Sequence, residues 1–369
     1  MESQDTRYMQ IAIGLAKRGM GSVEPNPAVG CLIVKSDQVI GRGWHRQFGG
    51  PHAEINAIQD CQTIGASPNG AAMYVTLEPC CHEGKTGPCT DAIIAAGLQK
   101  VVVAANDPSE HAGGAGLRRL RQAGIDVVTG VSQDEARLLN APFFKFVETG
   151  RCWVVVKWAQ SLDAKLAYAD SATGEWLSGE MSRREAHTLR RRAQAILVGV
   201  DTVIIDNPLL TPRPSKGRNP QRVVLDRNLR IPLACRLLST AKRHPLVVYT
   251  TARAMDANPK AVKTIQKKGA EILIGPDTQD NANLHSLLEQ LSGRRIQQLL
   301  VEGGARVIGS FLQERLADEI FAYVVPSLLG NHGRAELGLG LSKLTAVAGL
   351  NHIEVKRLGD DVRIRGMTL

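Results

Sequence analysis

The chain is poor in aromatic residues: Phe, Trp and Tyr make up 4% of its 369 residues. Binding of single-stranded nucleic acid by base stacking needs rings interleaved with basic side chains, and so sparse a set offers few such platforms. No run of about eighteen apolar residues occurs, which argues against a membrane-spanning helix. The first fourteen residues lack the basic start and apolar core of a secretory leader, so a cytosolic protein is expected. Repeats and low-complexity segments are also missing. Cysteine is scarce and odd in number: seven in all, clustered only at Cys80, Cys81 and Cys89. That usage suits a reducing compartment and a metal site better than a disulfide framework. Cys31, Cys61, Cys152 and Cys235 stand alone and read as small core residues.

What is present points to two domains. The length exceeds one typical domain, and 43% apolar residues are ample for packed cores. The net charge of +9 is unevenly spread. Residues 1–150 carry 13 Lys and Arg against 15 Asp and Glu, whereas residues 151–369 carry 32 against 21. Anion binding is therefore expected mainly in the second half, although a basic half can also be only a solvated surface.

His52-Ala53-Glu54 and Pro79-Cys80 through Cys89 carry the chemistry. Zinc in a catalytic site takes three protein ligands and leaves a position for water, whose pKa falls to about 7. His52, Cys80 and Cys89 supply such a set, and Glu54 is the carboxylate that moves protons. His-x-Glu followed by Pro-Cys and a later Cys is the signature of zinc-dependent nucleobase deaminases, whose usual closing spacing is Pro-Cys-x-x-Cys. Here eight residues, Cys81 to Pro88, separate the thiols, so the insertion is expected to loop over the site. Apolar periodicity after His52 and after Cys89 predicts helices, with both ligands at helix N-termini, where the dipole favours a thiolate. Either residue type alone would more often be packing than ligand; together they read as a metal site.

The first half alternates strands and helices. Helix 4–18 is followed by strands at 29–34 and 39–44, the first zinc helix, and strand 71–77. Helix 89–97, strand 100–105, helix 114–124, strand 126–128 and helix 132–147 complete it. This pattern predicts one α/β domain, residues 1–146, with a mainly parallel sheet covered on both faces and the metal at its strand ends. Asn26, held between Pro25 and Pro27, could read a heterocycle edge or simply make a turn. Residues 147–369 read as a second α/β domain. Its expected strands are 153–158, 195–199, 222–226, 246–250, 271–274, 318–326 and a terminal hairpin at 352–358 and 361–367. Val301-Glu302-Gly303-Gly304 feeds a helix, Ala305–Leu312; a strand, small residues and a helix start can hold phosphate, though two glycines are a weak motif.

Asn26-Pro27-x-Val29-Gly30, His52-Ala53-Glu54, Leu77-Glu78-Pro79-Cys80, Gly87-Pro88-Cys89 and Asn106-Asp107-Pro108 in one half resemble a known set of motifs. So do Ser161-Leu162-Asp163, Asp206-Asn207-Pro208-x-Leu210-Thr211 and Val301-Glu302-Gly303-Gly304 in the other. Together they resemble the bifunctional pyrimidine deaminase/reductase family of riboflavin biosynthesis, in the family's order and over nearly the whole chain. The resemblance implies a cytidine-deaminase-like three-layer α/β domain followed by a dihydrofolate-reductase-like α/β domain. It implies Zn2+ and NADPH as cofactors, and as substrate 2,5-diamino-6-ribosylamino-4(3H)-pyrimidinone 5′-phosphate, deaminated and then reduced at its ribosyl group. A homodimer is a further implication, with no nucleic acid or membrane partner.

Carried over by position, His52, Cys80 and Cys89 bind zinc and Glu54 shuttles protons. Asn26, His45 and Lys85 meet the first substrate, Lys85 at its phosphate. Ala159, Trp176, Thr202 and Asp206 match cofactor positions, as do Gly304, Ala305, Arg306, Val307, Ile308, Gly309 and Ser310. Arg190, Leu210, Arg213 and Glu302 match substrate positions. Three departures stand out. Cys81 replaces a usual serine and is expected to be a bystander. Arg227 follows Asp226 where a small hydroxyl residue is usual, and could meet the cofactor's 2′-phosphate. Ser171-Ala172-Thr173-Gly174-Glu175 is altered, leaving Gly174 as the candidate substrate contact there. Two rival readings are an RNA-editing deaminase fused to a basic RNA-binding domain, and a zinc that is purely structural.

Overall fold

Ser36 and Asp37 both take left-handed backbone, φ 49° and 60°. They close a two-residue turn between β1 (Gly30–Lys35) and β2 (Gln38–Trp44), which therefore pair antiparallel. The computed structural model describes residues 3–81, 87–109, 113–168, 176–213, 219–277, 284–334 and 349–368. It divides into two compact units, Met1–Gly150 and Arg151–Leu369.

The first unit contains α1 (Gln4–Ala16), α2 (Ala53–Thr63), β3 (Ala72–Leu77), α3 (Cys89–Ala95) and β4 (Lys100–Ala105). α4 (Ala115–Gln122), β5 (Asp126–Thr129), α5 (Gln133–Leu139) and α6 (Ala141–Thr149) follow. Its sheet runs β2-β1-β3-β4-β5. β1 is antiparallel to β3, whereas β3, β4 and β5 are parallel. The sheet is thus mixed where the alternating pattern suggested a mainly parallel one, because the tight turn at Ser36-Asp37 reverses the chain before any helix intervenes.

Strand alternation sorts the core into two faces. Cys31, Ile33, Met73, Val75, Val101 and Val103 pack with Ala57 and Cys61 of α2, Ile93 of α3 and Leu117 and Leu120 of α4. Leu32, Val34, Tyr74, Val102 and Ala104 pack with Met9, Ala12 and Ile13 of α1, Ala136 of α5 and Phe144 of α6. Helices therefore cover both faces, as expected of three layers. The predicted helix 132–147 is two helices. It breaks at Asn140 (φ −110°, ψ 24°), because Pro142 is tolerated only in the first turn of a new helix. α6 runs on past the expected join at 146/147 to Gly150, whose φ of 69° ends it.

Glycine sets how closely α2 lies on β2. A Cβ on Gly43 would stand 2.1 Å from the Ala53 carbonyl oxygen and 2.4 Å from the Ala57 nitrogen. Backbone rests on backbone here, which fixes the first turn of α2 and with it His52 and Glu54.

The second unit comprises β6 (Trp153–Ser161), β7 (Ala167–Tyr168), α7 (Glu180–Arg192), β8 (Ala195–Gly199), α8 (Val200–Asp206) and β9 (Gln221–Leu225). Next come α9 (Arg236–Ser239), β10 (Leu246–Thr251), α10 (Ala252–Ala257), α11 (Pro259–Lys267), β11 (Glu271–Gly275) and α12 (Leu284–Gly293). β12 (Gln298–Gly303), α13 (Ala305–Gln313), β13 (Glu319–Val325), β14 (Gly333–Arg334), β15 (Leu350–Leu358) and β16 (Asp361–Thr368) complete it. Nine strands form one sheet in the order β11-β10-β9-β8-β12-β6-β13-β16-β15, parallel up to β13 and antiparallel beyond it. From β8 the chain winds outward through β9, β10 and β11, then returns to insert β12 between β8 and β6. A reversal of this kind opens a crevice at the carboxyl ends of the strands, where α8 and α13 begin. No described helix is long and apolar enough to cross a membrane.

Gly43→Ala should force α2 off β2 and destabilise the first unit by about 1–3 kcal/mol. Gly14→Ala, with nothing within 4 Å of the new methyl inside α1, should instead stabilise it by up to about 1 kcal/mol. Calorimetric melting of both variants checks this; an unchanged midpoint for Gly43→Ala would contradict the close contact.

Candidate functional site

Three elements end at one point of the first unit. His52 is the N-cap of α2, Cys89 is the first residue of α3, and Cys80 lies three residues beyond the end of β3. Their ligand atoms all fall within 4.8 Å of one another. His52 Nδ1 lies 3.2 Å from Cys89 Sγ and 3.6 Å from Cys80 Sγ. A tetrahedral zinc with ordinary bond lengths of about 2.05 and 2.3 Å would separate nitrogen from sulfur by about 3.6 Å. The donor set and its spacing thus fit zinc, with Nδ1 as the histidine ligand.

The two thiols do not titrate alike. Hydrogen bonding from Cys89, with help from His52, holds the Cys80 thiol well below its ordinary range. Its thiolate, with burial, pushes the Cys89 thiol up. The Cys89 backbone N–H also donates to Cys80 Sγ at 3.4 Å. Glu54 is 3% exposed, in the first turn of α2, and burial pushes its carboxyl up to about 7. A carboxyl held near neutrality beside the three ligands can both take and return a proton.

His45 and Asn26 extend the same site. The His45 ring meets His52 edge-on, with centroids 5.4 Å apart. His45 Nδ1 lies 3.0 Å from the Pro51 carbonyl oxygen, which makes that nitrogen the donor and leaves Nε2 to accept from Asn26 Nδ2 at 3.4 Å. Lys85, on the inserted loop, falls outside the described residues. Cys81 is partly exposed and is not one of the three clustered ligands. Glu78, part of the same motif, turns away: its carboxylate accepts the backbone N–H groups of Asp107 and Gly116 and ties the loop after β4 to the first turn of α4.

In the second unit the apolar face of the sheet changes character toward its carboxyl end. Glu302, at the end of β12, receives three contacts from Arg190 of α7: Nε at 3.1 and 2.9 Å, and Nη2 at 2.6 Å. Arg190 Nη1 also donates to the Thr211 carbonyl at 3.2 Å. Burial alone would raise the Glu302 carboxyl; the Arg190 charge outweighs it and holds the group below its ordinary range. Two further groups, missed in the sequence, join them. Lys157 of β6 alternates onto the same face as Val155; burial pulls its amine down, although the Glu302 charge acts in the opposite direction. His187, one turn before Arg190, is brought to about 4 by burial and then by the charges of Arg190 and Arg213.

Thr202, in α8, meets the glycine pair at the end of β12. A Cβ on Gly303 would lie 3.1 Å from its Oγ1, and one on Gly304 3.6 Å. Gly304 itself has φ 64° and precedes α13 without a side-chain cap. Of the expected run, Ile308 and Gly309 face the core, and Ser310 spends its hydroxyl on the Arg306 carbonyl. Gly304, Ala305, Arg306 and Val307 are what the helix start can present. Leu210 is 2% exposed and belongs to the core, with φ 54°, so only its backbone can face a ligand. Arg213 is exposed, and its charge reaches His187. Trp176 is 71% exposed, with the Arg183 guanidinium 5.9 Å from its ring. Ala159 is half-buried against the core, beside Tyr323 across the β6–β13 ladder. Asp206 ends α8 and is exposed. Arg227 follows β9 and pairs with Asp277 at 3.6 Å. Gly174 and the rest of Ser171–Glu175 fall outside the described residues.

Residues 2–105 match the family model described as the cytidine and deoxycytidylate deaminase zinc-binding region. Residues 152–364, more than half the chain, match the RibD C-terminal domain. The chain belongs to the RibD family. It is 41% identical over 362 residues to the riboflavin biosynthesis protein RibD of Aquifex aeolicus, covering 98% of this chain and 97% of that one. Among solved structures, RibD of Acinetobacter baumannii superposes with a TM-score of 0.83 at 36% identity, covering 99% of both chains. A diaminohydroxyphosphoribosylaminopyrimidine deaminase/5-amino-6-(5-phosphoribosylamino)uracil reductase of Thermotoga maritima gives 0.83 at 34% identity, again over 99% of both. The chain is therefore a bifunctional deaminase/reductase of riboflavin biosynthesis. The RibD family implies zinc in the first unit and a nicotinamide cofactor in the second, and the RNA-editing reading is not favoured.

If His52, Cys80 and Cys89 hold the metal, the purified chain should carry about one zinc, and Cys89→Ser should lose most of it. Elemental analysis decides; full zinc retention by the variant would contradict the ligand set.

Proposed function

We propose that the chain deaminates 2,5-diamino-6-ribosylamino-4(3H)-pyrimidinone 5′-phosphate to the corresponding uracil and then reduces the ribosyl group to a ribityl chain with NADPH. The observation that carries this reading is the buried cluster of His52, Cys80 and Cys89 with Glu54 beside it, in a chain whose other unit ends β12 with the Arg190–Glu302 pair.

For the first reaction, His52, Cys80 and Cys89 bind zinc. When bound there, zinc supplies Lewis acidity toward water, the nucleophile of hydrolytic deamination. Glu54 takes a proton from that water and delivers it to the leaving amino nitrogen, so that water and substrate give the ring carbonyl and ammonia. Asn26 and His45 orient the pyrimidine, and Lys85 meets its phosphate.

In the second reaction a nicotinamide cofactor supplies hydride to C1′ of the ribosyl group. Lys157 gives a proton to the ring oxygen, which departs as the 4′-hydroxyl. Arg190, Arg213 and Glu302 hold the phosphorylated sugar, with the backbone at Leu210 and Gly174. Thr202, Asp206, Trp176, Ala159 and the amides from Gly304 onward hold the cofactor; Arg227 meets the 2′-phosphate that distinguishes NADPH from NADH. Two copies form a homodimer. Supporting this, β15 lies at the sheet edge with Ile353 60% and Val355 66% exposed. A monomer mass in sedimentation at working concentration would contradict it. The described cysteines are all free, which supports residence in the cytosol.

Mixing the pure protein with the phosphorylated diaminopyrimidine and NADPH should release ammonia and consume NADPH, and no ammonia would overturn the deaminase assignment. Glu54→Gln should slow ammonia release by about 10²–10⁴-fold while NADPH consumption on supplied deaminated intermediate stays at the wild-type rate. Equal loss of both activities would contradict the separate roles.

A further inference from the structure

One buried amide in the first unit has a geometry that packing alone does not call for. Asn140, 5% exposed, stands at the joint between α5 and α6. Its Oδ1 accepts the Ala28 backbone N–H at 2.8 Å, and its Nδ2 donates to the Ala28 carbonyl at 2.9 Å. Both arms of one side chain thus pair with both peptide groups of one residue, as a neighbouring strand would. Such a pairing fixes Ala28 in translation and rotation together.

Ala28 is two residues from Asn26, and the residue between is Pro27, whose ring locks its own φ. The placement of Ala28 is therefore passed to Asn26 with little slack. On the other side of the loop, the His45 backbone N–H donates to the Val29 carbonyl at 2.9 Å, and Asn26 Nδ2 lies 3.4 Å from His45 Nε2. Asn140 is itself held: its N–H donates to the Arg137 carbonyl at 3.1 Å, and its own carbonyl accepts from Phe143 and Phe144 at 2.9 and 3.1 Å. A rigid helix joint, 112 residues away in sequence, grips the segment that carries Asn26.

We propose that Asn140 is a positioning residue of the deaminase site, acting through the Ala28 backbone to hold Asn26 against the pyrimidine. This rests on the reading of Asn26 as a pyrimidine contact. It gives the α5–α6 joint a task in the first reaction and none in the second.

The test is a double-mutant cycle on ammonia release, with Asn140→Ser, Asn26→Ala and the two combined, read as KM and kcat separately. Asn140→Ser should raise KM by about five- to tenfold, as expected for one lost positioning contact. Zinc content should be unchanged, as should NADPH consumption on supplied intermediate. The double variant should be no worse than Asn26→Ala alone, since both would remove the same contact. Should the serine variant not fold, Asn140→Asp keeps the acceptor for the Ala28 N–H, loses the donor, and should raise KM in the same sense. An unchanged KM in the folded variant, or KM effects that multiply in the double variant, would overturn the role of Asn140. If Asn26→Ala itself left KM unchanged, the reading of Asn26 would fall, and this inference with it.

Discussion

Two sulfurs and an imidazole nitrogen drawn within 4.8 Å of one another impose a charge constraint on everything around them. Two thiolates this close in a buried site repel each other, and the Cys80 sulfur accordingly pushes the Cys89 thiol up. A divalent ion removes that conflict, because it stabilises both anions at once. The surrounding fold brings the three donors together. β3 delivers Cys80 through Pro79, α3 starts at Cys89, and the glycine contact between β2 and α2 brings His52 and Glu54 to the same place. Glu54 feels the same burial, which keeps its proton exchangeable near neutral pH.

The second unit solves a different problem with similar parts. On one face of its central strands, toward the carboxyl edge, Lys157, Glu302 and Tyr323 stand where apolar residues precede them. α7 lays a matching row across them: Glu185 accepts from Tyr323 at 2.9 Å, and Arg190 grips Glu302. Lys157 completes the row, its Nζ 5.4 Å from the Tyr323 ring centroid. Buried charges of this kind are weak contributors to stability and costly to leave single. Their retention at the mouth of a crevice is understandable if they meet a polar, anionic ligand. Hydride transfer needs little more from the protein than such holding and one proton donor.

Much of this was legible in the sequence wherever the determinants are local. His-x-Glu and the two cysteines lie within 38 residues of one another, and the helices and strands beside them have clear periods. The terminal hairpin was readable too, since Gly359-Asp360 separates two alternating runs and does turn between β15 and β16. Three determinants, Lys157, His187 and Asn140, were hidden because they are made by pairing across the fold. Lys157 looks like an interruption in a strand, and only the β6–β12 ladder brings it onto the face of Glu302. His187 sits in a run of charged helical residues. Leu210 matched a motif, yet its side chain is core. Asn140 read as the interior of one helix, and its partner Ala28 is too distant for any local pattern to reveal. The helices α9 to α12 went unread, although α12 carries a helical spacing in Leu284, Leu287, Leu288 and Leu291, all of which pack on the core.

If this triad holds the metal, ammonia release depends on that metal while reduction does not. The most direct measurement is to strip the purified chain with a chelator and follow both reactions in parallel, supplying the deaminated intermediate for the second. Ammonia release should disappear and return on adding zinc back, with NADPH consumption steady throughout. Undiminished ammonia release from metal-free protein would contradict it.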